Sequence, residues 1–162
     1  MTMGGKLKSF LDDQGLPYEI LTHREVFAAG DEARAVGATA GNVAKTLVAK
    51  LSDGHDVLAI VPASEKLDIH KLRDAVNDNH ARLATEQEIG HDFHEFELGA
   101  VPPLGELVDA PVLLDPELEK ADFVVFDAGT HRDSVKMSGE DFLKLTHPQI
   151  VDLVKIERES VY

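Results

Sequence analysis

Val43-Ala44-Lys45-Thr46-Leu47-Val48-Ala49-Lys50 decides how this chain folds, together with the run that answers it, Asp56-Val57-Leu58-Ala59-Ile60-Val61-Pro62. The first run is rich in β-branched and apolar residues and reads as a strand. The Ser52-Asp53-Gly54-His55 segment between the two carries the Asp-Gly pair that hairpins favour. The second run is apolar on both faces, the mark of a central strand covered on both sides. Side chains alternate along a strand, so Val43, Lys45, Leu47 and Ala49 share one face. Lys50 reaches water at the strand's end. Lys45 stands mid-strand among apolar neighbours, where an ammonium is costly unless something anionic meets it. Two readings are open at this point. Lys45 is an edge-protecting or snorkelling lysine, or it is a pocket lysine that meets a negatively charged or carbonyl-bearing ligand.

The 162 residues suffice for one domain with a real core, and 43% hydrophobic content is a globular value. We read residues 1–162 as a single domain, since no repeat, linker or low-complexity segment divides them. No apolar run approaches the length of a membrane span, and the start of the chain lacks the pattern of a secretory signal. The chain has no cysteine, which excludes disulfides, thiolate metal sites and a thiol nucleophile and fits a cytoplasmic protein. The formal net charge of −14, from 16 Lys+Arg against 30 Asp+Glu, argues against a non-specific nucleic-acid binder.

Working outward, Lys6 to Gly15 predicts a helix with Leu7, Phe10 and Leu11 at helical spacing. Tyr18 to Thr22 is extended, and His23 follows it at a strand end, where sites are often assembled. Phe27 to Val36 predicts a helix that stops near Gly37. After the hairpin, Leu67 to Val76 predicts a helix with Lys66, Lys71 and Arg73 around it; those cations read as a solvated face before they read as a phosphate patch. Residues 80–84 are a short strand. Thr85 with Glu88 forms a capping-box pattern at the start of another helix. Pro111 to Leu114 and Asp122 to Asp127 are strands. Asp115-Pro116 opens a helical turn, Asp133 to Met137 is a returning strand, and Ser138 caps a helix over 139–145. The tail from Gln149 is either a strand or a short helix. Strands and helices interleave irregularly with at least two hairpins, which predicts an α+β fold with a mixed sheet.

Few residues are left to carry chemistry. His91 and His94 are three apart, but no third ligand accompanies them and no metal is expected. Gly-x-Gly-x-x-Gly, Walker, Gly-x-Ser-x-Gly and His-Glu-x-x-His patterns are absent, and Ser64 and Ser134 lack a triad context. The stretch Gly99-Ala100-Val101-Pro102-Pro103-Leu104-Gly105 is distinctive. Its prolines stiffen the backbone and its glycines permit close approach, so the amides of Gly99 and Ala100 can be presented at a defined place. It can equally be a simple proline turn. The candidates are therefore Lys45, His23, His131 and the backbone of the Gly99 loop.

Three pieces in this order and at these spacings resemble the YbaK family of aminoacyl-tRNA deacylase domains, which includes prolyl-tRNA synthetase-associated editing proteins. They are residues 43–48, residues 99–105, and Ala128-Gly129-Thr130-His131 with the helix that follows. The resemblance runs from about His23 to Leu145. It implies a mixed, partly closed β-sheet surrounded by helices, and hydrolysis of the ester between a wrong amino acid and the 3′ end of tRNA. Lys45 matches the family's active-site lysine, and Gly99 and Pro103 match its Gly-x-x-x-Pro loop. His131 matches a histidine that lines the pocket in some members. Catalysis is thus expected from Lys45 and Gly99, and substrate binding from His23, Ala100, Val101, Pro103 and His131. No cofactor is implied. The loop's composition favours alanine, or another small side chain such as cysteine, mischarged onto proline tRNA. Expected partners are the acceptor end of mischarged tRNA and prolyl-tRNA synthetase, with no membrane and a monomer or weak homo-oligomer. The charge of −14 predicts weak, salt-sensitive binding of tRNA by the protein alone. The competing reading is a non-catalytic module that kept the pocket for a small ligand or partner protein.

Overall fold

The computed structural model describes residues 5–26 and 29–156. Phe27 and Ala28, at the expected start of the second helix, lie outside the described residues, as do 1–4 and 157–162. The elements run α1 (Gly5–Gln14), β1 (Glu19–Thr22), α2 (Ala29–Val36), a 3-10 turn (Ala40–Asn42), β2 (Val43–Lys50), β3 (Asp56–Pro62), α3 (Ile69–Val76) and β4 (Arg82–Leu83). Then follow α4 (Glu86–Asp92), α5 (Gly105–Val108), β5 (Val112–Leu114), α6 (Pro116–Glu119), β6 (Phe123–Asp127), β7 (Asp133–Ser138), α7 (Gly139–Thr146) and β8 (Gln149–Ile150). The undecided tail begins as a two-residue strand parallel to β5. It is then tied down by the buried Asp115 carboxylate, which accepts from the Leu153 amide at 2.9 Å.

The sheet is mixed, as expected, with the strand order β1-β7-β6-β2-β3-β5-β8 and β4 attached to β2. β2 pairs with β3 along its length, Ala44 opposite Pro62 through Lys50 opposite Asp56. Its other flank is different. β6 runs parallel to β2 only at Val43–Val125 and Ala44–Phe126, and β4 joins only at Ala49 and Lys50. Between them β2 and β6 part, and no strand covers that flank of residues 45–48. The Ala84 amide donates to the Val48 carbonyl at the slit's far end. Backbone groups point alternately to the two flanks of a strand, so Thr46, two residues before Val48, turns its N–H and C=O into the slit.

The sheet has two covered faces. Ala44, Val48, Leu58, Ile60, Phe126 and Val135 face the larger core, closed by Leu7 and Leu11 of α1, Phe142 and Leu145 of α7, and Val101 and Leu104 of the loop. On the opposite face, Ala49, Val57, Ala59 and Val61 pack on Leu72 of α3 and Leu153, while Val43 and Val125 pack on Ala33 of α2. Burying such rows supplies most of the driving force, at roughly 25 cal/mol per Å² of apolar surface. Lys45 belongs to this second face, but it is exposed rather than buried. The expectation of an interior lysine is corrected here: β6 stops pairing with β2 at Ala44, and Lys45 is exposed among the described residues.

Local chemistry fixes the wall beside the slit. Thr85 and Glu88 form the expected capping box at the start of α4, and Glu88 takes a two-pronged hydrogen bond from Arg82, at 2.7 and 3.0 Å. Arg82 holds the Glu88 carboxyl down to about 2, and three donors on Asp78, led by the Ser52 hydroxyl, hold it at about 2 as well. A depressed carboxyl pKa adds stability above the unfolded value and loses it as pH falls toward the folded one. The share of stability that Glu88 and Asp78 supply should therefore be lost between pH ~4 and ~2, read as a fall of the circular-dichroism melting midpoint over that range. Glu88→Gln should flatten part of that fall.

Candidate active site

The slit opens into a cavity of about 140 Å³ lined by Thr46, Leu47 and Val48 of β2, Leu83 and Ala84 at β4, Ile89 of α4, and Gly99 and Val101 of the loop. An apolar cavity of about 150 Å³ accepts a molecule the size of benzene, so this one has room for a small amino-acid side chain. Thr46 is the one polar side chain in its wall.

The loop is held from behind. Gly99 adopts φ +81, and a Cβ there would stand 3.3 Å from His131 Cε1. The His131 ring nitrogen Nε2 meets the Leu98 carbonyl at 2.5 Å, and the Glu97 carboxylate accepts from the His131 amide at 3.4 Å. His131 is only 6% exposed. It supports the Gly99 backbone rather than lining the cavity. Ala100 is buried and its amide donates to the Glu97 carbonyl at 3.0 Å, while its carbonyl accepts from Gly129. The expectation that Ala100 offers its amide to a ligand is therefore corrected; the turn that shapes the loop consumes it. Pro103 is buried beneath the loop, and only Gly99 and Val101 of the expected loop residues reach the cavity wall.

Lys45 immediately precedes the cavity-lining residues of β2; its backbone pairs with Val61 of β3, and its ammonium makes no hydrogen bond or ion pair among the described residues. Its side chain leaves the sheet on the face opposite the one the Gly99 loop packs against. Lysine and loop therefore approach the slit from its two sides, and a group threaded through the slit meets both. His23 lies farther along the sheet end. Its Nδ1 donates to the Arg24 carbonyl at 2.6 Å and its Nε2 lies 2.9 Å from Ser134 Oγ. Of the other cations singled out from sequence, Lys71 pairs with Asp152 and Arg73 donates to the Ala81 carbonyl, while Lys66 is exposed.

Sequence reading missed two residues on the Lys45 face. Ser134 Oγ donates to the Glu32 carboxylate, and Glu32, 2% exposed, is the neighbouring carboxyl of Asp127. Burial, and then the neighbouring Glu32, push the Asp127 carboxyl well above its ordinary range. The residues are separated by about a hundred positions, and no local motif links them. The one sequence hint was a glutamate amid the small residues of an Ala-rich helix that packs on a sheet.

Comparison with known proteins gives the family. A family model described as the aminoacyl-tRNA editing domain matches residues 23–145, from the end of β1 to the last turn of α7. The chain belongs to the aminoacyl-tRNA editing domain family. The match to this editing domain spans the slit, the Gly99 loop and the β6–β7 turn. Among curated relatives, the multifunctional Ser/Thr-tRNA deacylase ProXp-y of Escherichia coli K12 is 28% identical over 151 residues, 91% of this chain and 90% of its own. EbsC of Enterococcus faecalis V583, assigned as a Cys-tRNA(Pro)/Cys-tRNA(Cys) deacylase, is 23% identical over 86% of this chain and 85% of its own. A crystal structure described as a candidate trans-editing enzyme for prolyl tRNA synthetase superposes with a TM-score of 0.81 at 28% identity, covering 95% of this chain and 99% of that one. The editing-domain fold, a mixed sheet with helices packed around it, is thus the one expected from Lys45 and the Gly99 loop.

Proposed function

We propose that this protein is a trans-editing deacylase whose substrate is a small amino acid esterified to the wrong tRNA, with alanine or cysteine on proline tRNA as the leading case. Membership of the editing-domain family makes the chain a hydrolase of the aminoacyl-tRNA ester bond. The observation that supports the finer reading is the slit in the sheet. Its cavity takes a side chain of a few heavy atoms, while the strand edge and the loop supply polar backbone where an ester would sit.

An aminoacyl ester is already reactive, so the site needs chiefly to orient water and stabilise the oxyanion. In this reading the side chain enters the cavity past Leu83 and Ile89. The ester lies across the Thr46 backbone, and Lys45 holds the terminal phosphate or the carbonyl oxygen from the opposite face. Gly99, with no side chain and a left-handed backbone, lets the substrate come close. Residues 1–162 act as one unit in the cytoplasm, where tRNA is charged, and prolyl-tRNA synthetase supplies the affinity that a chain of net charge −14 lacks. A side chain much larger than a benzene ring does not fit.

A panel of tRNAs mischarged with alanine, cysteine, serine and threonine, with prolyl-tRNA as control, tests this directly. The expected result is release of one or more of the small residues with prolyl-tRNA left intact. Preference for serine and threonine over alanine would move the specificity to that of the E. coli relative. No release from any of them would leave a binding module in place of an enzyme.

A further inference from the structure

The face of the sheet that carries Lys45 holds an ionisable pair that the reading above does not use. Asp127 is the first residue of β6 beyond its pairing with β2, as Lys45 is the first of β2 beyond its pairing with β6. The register that sets Ala44 beside Phe126 places the two on the same face at the mouth of the slit. Asp127 stands opposite Ser134 of β7. It is partly exposed, whereas its partner Glu32 and the intervening Ser134 are buried at 2% and 0%. The acid is thus partly exposed on the sheet face that carries Lys45, with the buried Glu32 beside it.

We propose that Asp127 is a further catalytic residue of the deacylation, the group that hands a proton to the ribose oxygen as the ester breaks, and that the buried Glu32 is the residue that positions it. The assignment rests on the deacylase reading above. The groups facing Asp127 are Glu32 from α2, Ser134 from β7 with His23 behind it, and Lys45 from β2. Asp133 turns the other way, accepting from Thr22 and Thr130, and Glu97 of the loop is turned to the His131 amide. A carboxyl kept neutral by burial and by a neighbouring carboxyl is the arrangement that general acids require near neutral pH. The step balances. The water oxygen adds to the ester carbonyl carbon and the bond from that carbon to the ribose oxygen breaks. The departing oxygen takes the Asp127 proton, and a proton of the attacking water restores it. The products are the free amino acid and the free terminal hydroxyl of the tRNA.

The test uses the full chain and two variants, D127N and E32Q, on alanine esterified to proline tRNA and on the trifluoroethyl ester of alanine, whose alcohol departs without help. D127N should lose about a hundredfold in kcat on the tRNA ester and keep close to wild-type kcat/KM on the activated ester. E32Q should remain active at low pH, and the alkaline limb of its pH–kcat profile should move down by about one pH unit. D127N at the wild-type rate on tRNA, equal losses on both esters, or an unshifted E32Q profile would each overturn the assignment. Should D127N not fold, the E32Q profile decides alone. A wild-type chain inactive on every mischarged tRNA sinks the deacylase reading itself, and this assignment with it. An active wild type with unaffected variants sinks only the assignment.

Discussion

Lys45→Ala should lower kcat/KM on a mischarged small-residue tRNA by roughly a hundredfold or more, the size of effect seen when one charge-stabilising contact is removed from a transition state. The same substitution should leave stability within ~0.5 kcal/mol. Both halves follow from one observation: Lys45 is exposed at the slit and engages no carboxylate among the described residues, so the fold does not depend on it. Lys50, five residues on, is the contrast. It holds Asp56 and Asp92 at 2.8 and 2.7 Å, and its loss should cost stability rather than turnover. Lys45→Arg separates charge from geometry, because the wider guanidinium retains the charge but not the reach of an ammonium. Turnover by discharge of labelled amino acid and a thermal melt on the same preparations are sufficient. An alanine variant with full activity would remove Lys45 from the mechanism.

Gly99→Ala should be nearly as damaging to activity, and mildly destabilising. A left-handed φ of +81 strains any residue with a Cβ, at about 1 kcal/mol. The new methyl also meets the His131 ring at 3.3 Å. His131 cannot yield freely, since it bridges the Leu98 carbonyl and the Glu97 carboxylate. The loop must shift instead, and a displacement of about 1 Å can cost on the order of a hundredfold in rate. His131→Ala combined with Gly99→Ala should recover part of the loss, because the obstruction is gone. Without such recovery, the damage comes from the backbone strain alone.

Much of the fold was readable from short-range chemistry. The β2–β3 hairpin carries its boundaries in its composition, and the Thr85, Asp115 and Ser138 caps sit where hydroxyl or carboxylate side chains precede helical periodicity. The site was only partly readable. Gly99 and Val101 reach the cavity wall, whereas Lys45 stands next to it in sequence but exposed on the opposite face of the sheet. The exposure of Lys45 and the consumption of the Ala100 amide depend on where β2 and β6 part, and no local pattern encodes that divergence. The Glu32, Ser134 and Asp127 group joins α2 to the distant β6–β7 hairpin, and each residue alone reads as an ordinary polar neighbour. The two residues of β8 are too few to show any period, which is why the tail stayed undecided.

A recognition surface made from main-chain atoms has a consequence for how such proteins diversify. In the proposed arrangement the Thr46 peptide groups stay in place whatever side chains surround them, so substitutions at Leu83, Ala84, Ile89 or Val101 would reshape the chamber without disturbing the backbone across which the ester is proposed to lie. Retuning for a different amino acid then requires only new wallpaper on an old frame, and proteins sharing little more than a quarter of their residues can keep one chemistry while sorting different cargo.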